Sequence, residues 1–438
     1  MSGFGKIHRF LLLCILLGLG LCASAATESK QDAGKLLIVG GALRSDNAAV
    51  YRAFIAAIPA EYPEVAIVPA ASGRPAYYAS LFIEDLRKHG FDGKVRVLPI
   101  ALVDDPATDK VNEGDWNKGG RDQELAASLK RVGGIWFVGG DQTRITQTLT
   151  QTGKDQGENR SANTSSDLPV LSAIRAQLAK GAIVGGTSAG AAIMSASMIA
   201  AGDSLSALTL PVADEYAGME SQEAGQLMLS EGLGFLPVGV VDQHFDRKAR
   251  LGRLVRALGT IPAAADRLGF GVDEDTAILV DLAEGDMAVL GAGNLVLVDG
   301  RSARFSSDTA AFASSGIALS VMSAGDRYHW RTGRFSIEGG DTVNKEAFAY
   351  TPHQGAGITL PNGRLDQLLG FSLLDNRDSG ELRRYSFDEK TGKGVLFRFR
   401  QLETSRGYWR YGSGTKDQYS VVNVALDIEP VAVTLSRR

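Results

Sequence analysis

The sequence predicts an α/β protein with a doubly wound, mostly parallel sheet, followed by a smaller β-rich region at the C-terminal end. Two observations support this prediction. From residue 36 to about residue 184, short apolar runs alternate with helical patterns, as in successive βαβ units. From about residue 269 the pattern changes to short β-rich runs, and beyond residue 334 aromatic and polar residues alternate.

The apolar runs have the length of strands, and several of them end in glycine or proline. The predicted strands cover residues 36–39, 65–68, 95–98, 135–138 and 181–184, and the predicted helices cover residues 47–57, 75–88, 122–130 and 171–179. Ser72 and Pro75 are start signals for the second helix. Ligands of such sheets collect beyond the carboxyl ends of the strands. Gly40-Gly41, Gly139-Gly140 and Ser188 all follow strands at that edge.

Changes in composition divide the chain into three parts. We expect a signal peptide over residues 1–25, a main α/β domain over residues 34–333 and an accessory β-rich region over residues 334–438. Two polar stretches, residues 104–120 and 151–167, are predicted to be surface insertions of the main domain.

The first residues have the pattern of a secretory signal peptide. A positively charged start is followed by an apolar run from Phe10 to Leu21 and by small residues around Ala25. The run is too short to span a bilayer comfortably. We therefore expect cleavage after Ala25, a secreted protein (extracellular or periplasmic), and no stable membrane insertion after cleavage.

Cysteine usage and charge exclude several classes of function. Both cysteines, Cys14 and Cys22, lie in the predicted signal peptide, so the mature chain would have no cysteine nucleophile, thiolate metal site or disulfide. The net charge is −4, and loss of Lys6 and Arg9 would make it more negative, which argues against nucleic acid as a partner. No metal site and no phosphate-binding loop is evident, so no cofactor is expected.

The run Gly-Gly-Thr-Ser-Ala-Gly at residues 185–190 is the most informative motif. It lies between an apolar strand and a small-residue helical segment, the setting of a nucleophile elbow with Ser188 at its apex. A plain glycine-rich turn is the alternative in a chain with 52 glycines. Backbone N–H groups of Ala189, Gly140 and Asp141 are candidates for an oxyanion hole.

A serine nucleophile needs a base and an acid that orients the base. Four histidines lie beyond the predicted signal peptide: His89, His244, His329 and His353. His244 directly follows an apolar strand, which would place it at the same edge of the sheet as Ser188. Any acid of residues 273–275 could orient it. The competing order, serine then acid then histidine, is that of α/β-hydrolases and would need His353 as the base.

Two arginines follow His244 at helical spacing. Arg250 and Arg253 are three residues apart and so share one face of a helix. They form either a solvated basic face or a site for substrate carboxylates, for which the guanidinium group is well shaped.

Four sequence blocks together resemble the cyanophycinases, serine exopeptidases of the dipeptidase E-like family with a flavodoxin-like, class I amidotransferase-type fold. The blocks are Gly-Gly-Asp-Gln at 139–142, Gly-Thr-Ser-Ala-Gly-Ala at 186–191, Asp-Gln-His-Phe at 242–245 with Arg250 and Arg253 after it, and Gly-Val-Asp-Glu-Asp-Thr-Ala at 271–277. They span about residues 35–330 in the family's order, and residues beyond about 334 lie outside the resemblance.

The resemblance implies roles for individual residues. It implies Ser188 as nucleophile, His244 as general base and Glu274 as the acid of a catalytic triad. Residues that match the family's substrate pocket are Gln142, Asp242, Gln243, Lys248, Arg250 and Arg253. The family often has arginine where this chain has Lys248, and lysine lacks the bidentate fork of arginine.

The resemblance also implies the reaction. Cyanophycin, a polyaspartate that carries arginine on its β-carboxyl groups, would be cleaved through an acyl-enzyme to β-Asp-Arg dipeptides from its C-terminal end. Another Asp-specific peptidase on the same scaffold is the first alternative, and a catalytically silent binding protein is the second. A homodimer is a candidate assembly.

Overall fold

The computed structural model describes residues 34–151, 166–306, 312–352, 354–356, 364–412, 417–434 and 436. The predicted signal peptide, most of the predicted insertion at residues 151–167, and His353 lie outside the described residues. In the ranges that are described, no helix is long and apolar enough to cross a membrane.

Strands dominate the described part of the chain. They are β1 (Lys35–Val39), β2 (Glu64–Val68), β3 (Val95–Val97), β4 (Val132–Phe137), β5 (Thr150–Gln151), β6 (Ser166–Asp167), β7 (Ile183–Thr187), β8 (Ser197–Ala201), β9 (Met228–Glu231), β10 (Val240–Asp242), β11 (Leu268–Val272), β12 (Thr276–Asp281), β13 (Asp286–Gly291), β14 (Asn294–Asp299), β15 (Arg304–Phe305), β16 (Ser314–Ser323), β17 (Arg327–His329), β18 (Arg334–Ser336), β19 (Gly340–Asp341), β20 (Gly355–Ala356), β21 (Glu381–Phe387), β22 (Lys393–Arg400), β23 (Arg406–Tyr411) and β24 (Asp417–Ala432).

Helices connect the parallel strands of the N-terminal half. The α-helices are α1 (Ala48–Ala56), α2 (Pro75–Lys88), α3 (Gln123–Ser128), α4 (Gln142–Leu149), α5 (Pro169–Leu178), α6 (Ala189–Ala192), α7 (Ser204–Thr209) and α8 (Leu251–Thr260). Shorter 3₁₀ segments cover Glu113–Arg121, Leu129–Arg131, Met219–Gln222 and Ala264–Asp266, and a π-helical segment covers Asp366–Leu374.

The first sheet has the order β18-β17-β13-β12-β1-β7-β4-β2-β3. Its strands β1, β7, β4, β2 and β3 run parallel to one another, whereas β12, β13, β17 and β18 form an antiparallel extension next to β1. Helices between parallel strands must cross over a face of the sheet, which explains the alternation seen in the sequence. The predicted α/β fold with a mostly parallel core is confirmed.

Helices cover both faces of the parallel strands. On one face, Phe54 of α1 and Phe82 of α2 pack on Trp136 of β4, with ring centroids 5.4 Å and 4.2 Å apart. On the other face, Leu171 and Ile174 of α5 are fully buried in a separate apolar cluster. Because both faces are buried, the strands are apolar throughout and do not alternate with polar residues.

The second sheet has the order β10-β11-β14-β16-β24-β22-β21-β20 and is largely antiparallel. Its long strand β24 pairs with β16, with Ile317 opposite Leu426 and Val321 opposite Val421. The C-terminal β-rich region therefore continues a sheet that begins with β10 and β11. The division of the chain at residues 333 and 334 stays a prediction, and hydrogen-bonded strand pairs bridge it.

The two sheets meet where the chain passes from β11 to β12 through Asp273–Asp275. The strand before His244, β10, pairs with β11 in the second sheet, whereas the strand before Ser188, β7, lies in the first. The expectation that both residues follow strands of one sheet was therefore wrong. The apolar run before His244 predicted a strand correctly, but its partner strand was not encoded in that run.

The helix after the serine turn is shorter than the sequence indicates. It ends at Ala192, and the buried side chains of Ile193 and Met194 pack in the core before the chain enters β8. The stretch at residues 104–120 is not a plain loop either, because Glu113–Arg121 forms 3₁₀ turns.

A chain that ends at residue 333 should fail to fold. Loss of residues 334–438 would leave β16 without β24 and expose the fully buried Ile317, Leu319 and Val321. We expect an insoluble product with no cooperative thermal transition, whereas a control chain ending at residue 434 retains β24 and should unfold like the full chain. A soluble, cooperatively folded product of the shorter chain would contradict this expectation.

Candidate active site

Ser188 stands at a sharp turn directly after β7. Its backbone has φ 52° and ψ −108°, a conformation that residues other than glycine rarely adopt. The turn needs glycine on both sides, because a Cβ at Gly186 would overlap the backbone of Gly190 and one at Gly190 the backbone of Phe137. The N–H of Ser188 donates to the carbonyl of Val39 at 3.0 Å, which fixes the turn to the end of β1.

His244 reaches Ser188 from the second sheet. Its backbone is also left-handed, with φ 48°, and its N–H donates to the carbonyl of Gly40 at 2.7 Å. The imidazole ring lies directly against Gly41, which has φ 103°. A Cβ at Gly41 would overlap the ring, so only glycine satisfies both the backbone conformation and the space at this position.

Three side chains form a hydrogen-bonded relay. Ser188 Oγ lies 2.9 Å from His244 Nε2, and His244 Nδ1 lies 2.6 Å from Glu274 Oε1. A carboxylate only accepts hydrogen bonds, so Nδ1 carries the proton and donates to Glu274. Nε2 of the neutral ring then accepts from the serine hydroxyl. This is the tautomer that a general base for Ser188 requires.

The sequence left three acids open as partners of His244, and the structure separates them. Glu274 binds the ring, whereas the buried carboxylate of Asp273 accepts from the backbone N–H groups of Asp246 (3.1 Å) and Asn294 (2.9 Å). The carboxylate of Asp275 accepts from the backbone of Arg44 and from the side chain of Asn47, each at 2.9 Å. Asp273 and Asp275 therefore hold the loop in place.

Burial keeps His244 neutral. It lowers the pKa of His244 to about 4, with Lys248 and Arg250 acting in the same direction, while the hydrogen bond to Glu274 opposes this shift. Burial raises the pKa of Glu274, but hydrogen bonds from His244 and Arg247 outweigh it and leave that pKa below its usual value. At neutral pH the relay therefore holds a neutral imidazole beside a carboxylate.

Two of the three predicted oxyanion donors, the N–H groups of Gly140 and Ala189, form no hydrogen bond with another described residue. Gly139 packs beside the Cβ of Ser188. The prediction that Asp141 is a third donor was wrong, because its N–H donates to the carbonyl of Ala71 at 2.9 Å. Its carboxylate instead caps the start of α4.

The buried side chains of Arg250 and Gln243 bind each other. Nη1 of Arg250 donates to the backbone carbonyl of Gln243 at 2.7 Å and also to its side-chain oxygen, and Nη2 donates to the carbonyl of Gln222. Burial, with Arg253 as a second cause, lowers the pKa of Arg250 to about 9. A largely buried guanidinium with a nearby like charge favours an incoming anion.

Arg253 and Asp242 form a closed ion pair. Nε and Nη2 of Arg253 bind the two carboxylate oxygens of Asp242 at 2.9 and 2.6 Å, and Nη1 binds the carbonyls of Gly202 and Gln222. Only 2% of the Arg253 side chain is exposed. All of its nitrogen atoms are engaged within the protein, so the geometry favours support of the 202–222 segment over contact with a substrate.

The remaining two predicted pocket residues, Lys248 and Gln142, contact other parts of the protein. Lys248 forms an ion pair with Glu223, whose side chain is half-exposed. Nε2 of the buried Gln142 donates to the carbonyls of Ile199 and Ala200, while its Oε1 has no partner among the described residues. Gln142 is thus bound to β8, and its unpaired oxygen is buried.

Sequence reasoning missed two contributors. It noted Gly40-Gly41 only as a strand end, although a double glycine after a strand could have signalled close backbone approach. It passed over Arg247, whose Nη1 lies 3.1 Å from Glu274 Oε2. In the described ranges no three His, Cys, Asp or Glu side chains cluster in a way that could hold a metal ion.

Comparison with characterised proteins agrees with the sequence blocks. The model of Peptidase family S51 matches residues 36–288. The cyanophycinase of Synechococcus elongatus is 32% identical over 274 residues, 61% of this chain and 70% of that protein. The cyanophycinase of Trichormus variabilis (strain ATCC 29413 / PCC 7937) is 30% identical over 301 residues, 67% of this chain and 85% of that protein.

Among solved structures, the crystal structure of a peptidase from an acI-B1 Actinobacterium matches 68% of this chain and 97% of its own, at 18% identity and a TM-score of 0.43.

The family match covers more than half of the chain, and the matched range contains Ser188, His244 and Glu274. The resemblance predicted from the sequence is thus confirmed. The chain belongs to peptidase family S51 and is a serine-type peptidase.

Proposed function

We propose that this protein hydrolyses cyanophycin and releases β-Asp-Arg dipeptides from the C-terminal end of the polymer. The observation that carries the proposal is the relay from Ser188 through His244 to Glu274, with hydrogen bonds of 2.9 and 2.6 Å. Relatives named cyanophycinase, 30–32% identical over 61–67% of the chain, support the choice of substrate.

Acylation follows from the relay geometry. Ser188 Oγ attacks the backbone carbonyl carbon of the polymer while Nε2 of His244 takes the hydroxyl proton. The amides of Gly140 and Ala189 hold the negative oxygen of the tetrahedral intermediate. The C–N bond then breaks, the imidazolium gives its proton to the departing amine of the dipeptide, and the shortened polymer remains as an ester of Ser188.

Deacylation repeats the same proton path with water. A water molecule gives a proton to His244 and attacks the ester carbonyl, and the intermediate is held by the same two amides. The C–O bond to Ser188 breaks, Oγ recovers the proton, and the polymer leaves with a new carboxylate. Glu274 stabilises the imidazolium in both half-reactions.

Charges beside the relay suit a zwitterionic substrate unit. Arg250 and Lys248 lie on the loop that follows His244 and are the natural partners of the substrate's carboxylates. Glu223 faces both cations and offers a carboxylate to a guanidinium group. Cyanophycin combines these charges in every unit, because each aspartate carries an arginine.

We further propose that the protein is exported. The support is the charged start, short apolar run and small residues of positions 1–25. An exported enzyme would act on polymer released from other cells.

Replacement of the serine tests the reaction directly. The Ser188→Ala variant lacks the attacking oxygen, so release of β-Asp-Arg from cyanophycin, followed by mass spectrometry, should fall by about 10⁴-fold or more. Ser80→Ala, at an exposed position of α2, should retain wild-type rates. Undiminished release by Ser188→Ala would refute the mechanism. Turnover of free Asp-X dipeptides alone would instead indicate another Asp-specific peptidase, and binding without cleavage a silent binding protein.

Gly41 offers a test of the packing against the imidazole. Gly41→Ala forces the His244 ring to move, and we expect kcat/KM to fall on the order of 100-fold. Gly181→Ala is the matched control, because Gly181 also has a positive φ (97°) but nothing within 4 Å of its added Cβ. Gly181→Ala should lose about 1 kcal/mol of stability in denaturant unfolding, and Gly41→Ala should lose more because its Cβ also overlaps the ring. Equal activity of the two variants would contradict the packing argument.

The pH dependence follows from the buried imidazole. The general base works only when neutral, and burial lowers the pKa of His244 from 6.5 to about 4. The kcat/KM should therefore stay near its plateau from neutral pH down to about pH 5 and fall below that, as His244 becomes protonated. Rates measured across this range that decline around pH 6.5 would show an unperturbed histidine and contradict the expectation.

A further inference from the structure

The Glu274 carboxylate is held from two sides. Oε1 accepts from Nδ1 of His244 at 2.6 Å, and Oε2 faces Nη1 of Arg247 at 3.1 Å. Arg247 lies three residues beyond His244, so one loop supplies both the base and a cation for the acid. Among the described residues, Arg247 is the side chain that contacts Oε2.

The simplest explanation of the contact is that Arg247 and Glu274 form an ordinary surface ion pair. Its side chain is 62% exposed, and such pairs add little to stability. The partner makes the difference, however, because Glu274 is itself mostly buried and its other oxygen binds the base. A contact that adds little to folding can still set the orientation and charge of this carboxylate.

The remaining charged groups around the relay are few. Lys248 and Arg250 act on His244 and favour its neutral form. Asp246 accepts from the backbone N–H of Glu274 at 3.5 Å, and its own N–H donates to the buried Asp273. Asp246 and Asp273 tie the two loops together through backbone groups, which leaves Arg247 as the cation that contacts the Glu274 carboxylate from outside the relay.

We propose that Arg247 is a positioning residue of the triad, which turns the Glu274 carboxylate toward Nδ1 of His244 and offsets part of its negative charge. The inference deepens the proposed function and rests on it only in that the relay performs the reaction.

The sign of the effect follows from electrostatics. Without Arg247, the carboxylate of Glu274 acts on His244 with its full charge and stabilises the imidazolium, so the pKa of His244 rises. The base is then protonated at higher pH than in the wild type. The carboxylate keeps its hydrogen bond to Nδ1 but is aligned less firmly, which slows serine attack even where His244 is neutral.

The test measures His244 directly. Protein labelled with ¹³C-histidine is titrated by NMR, with the His244 signal assigned by its loss in His244→Gln. Arg247→Gln is compared with wild type, with Arg247→Lys, and with Arg327→Gln. Arg327 is a matched control, because it is 57% exposed and binds Asp286 at 3.0 Å, on strands of the first sheet's antiparallel extension. Thermal unfolding of each variant checks that the fold is retained.

We expect the pKa of His244 to rise by about 0.5 or more in Arg247→Gln. The fall in the rate of cyanophycin cleavage at acid pH should begin at a correspondingly higher pH. The kcat should fall on the order of 10-fold with KM unchanged. Arg247→Lys should have a His244 pKa and a kcat close to those of the wild type. Arg327→Gln should have wild-type values of both. An unmoved His244 titration in Arg247→Gln would overturn the proposal, even if the rate were lower at every pH. A shifted titration without cyanophycin turnover by the wild type would refute the substrate assignment alone.

Discussion

The site depends on the close approach of three backbones at the end of β1. Gly40 accepts from the N–H of His244, and Gly41 accepts from the N–H of Asp275 at 2.9 Å. The serine turn joins the same strand end through Val39. Ser188, His244 and the loop that carries Glu274 come from different segments of the chain, and all three are hydrogen-bonded to residues 39–41. Glycine is required there because a Cβ at position 40 would meet the backbone of Asp273, and one at position 41 the imidazole.

The three-residue crossover from β11 to β12 explains why two sheets share one site. The crossover is too short to hold a free loop, so Glu274 has a defined position between the sheets. Its neighbours Asp273 and Asp275 bind backbone and side-chain donors on either side and leave Glu274 to face the ring. Strained backbone at Ser188 and His244 is tolerated because these contacts hold it.

The charged side chains near His244 favour its neutral form. The Asp242–Arg253 pair is buried, every nitrogen atom of the guanidinium group is hydrogen-bonded, and breaking such a buried pair typically costs about 3–5 kcal/mol. Lys248 faces Glu223, and the buried Arg250 lies 3.7 Å from Glu223 and 3.8 Å from Asp242. The same cations favour neutral His244 and attract carboxylates.

The sequence by itself determined the parallel core, the serine turn and the family, because each depends on local pattern: apolar strand length, glycine spacing and contiguous motifs. It predicted His244 as the base from the strand before it. It left the acid open among residues 273–275 until the family resemblance was considered. Tertiary structure alone decided that Asp141 has no free N–H, that β10 belongs to the second sheet, and that Arg247 meets Glu274. These features depend on which distant segments pack together, and a hydrogen-bond partner some 30 to 70 residues away leaves no mark on the local pattern of either segment.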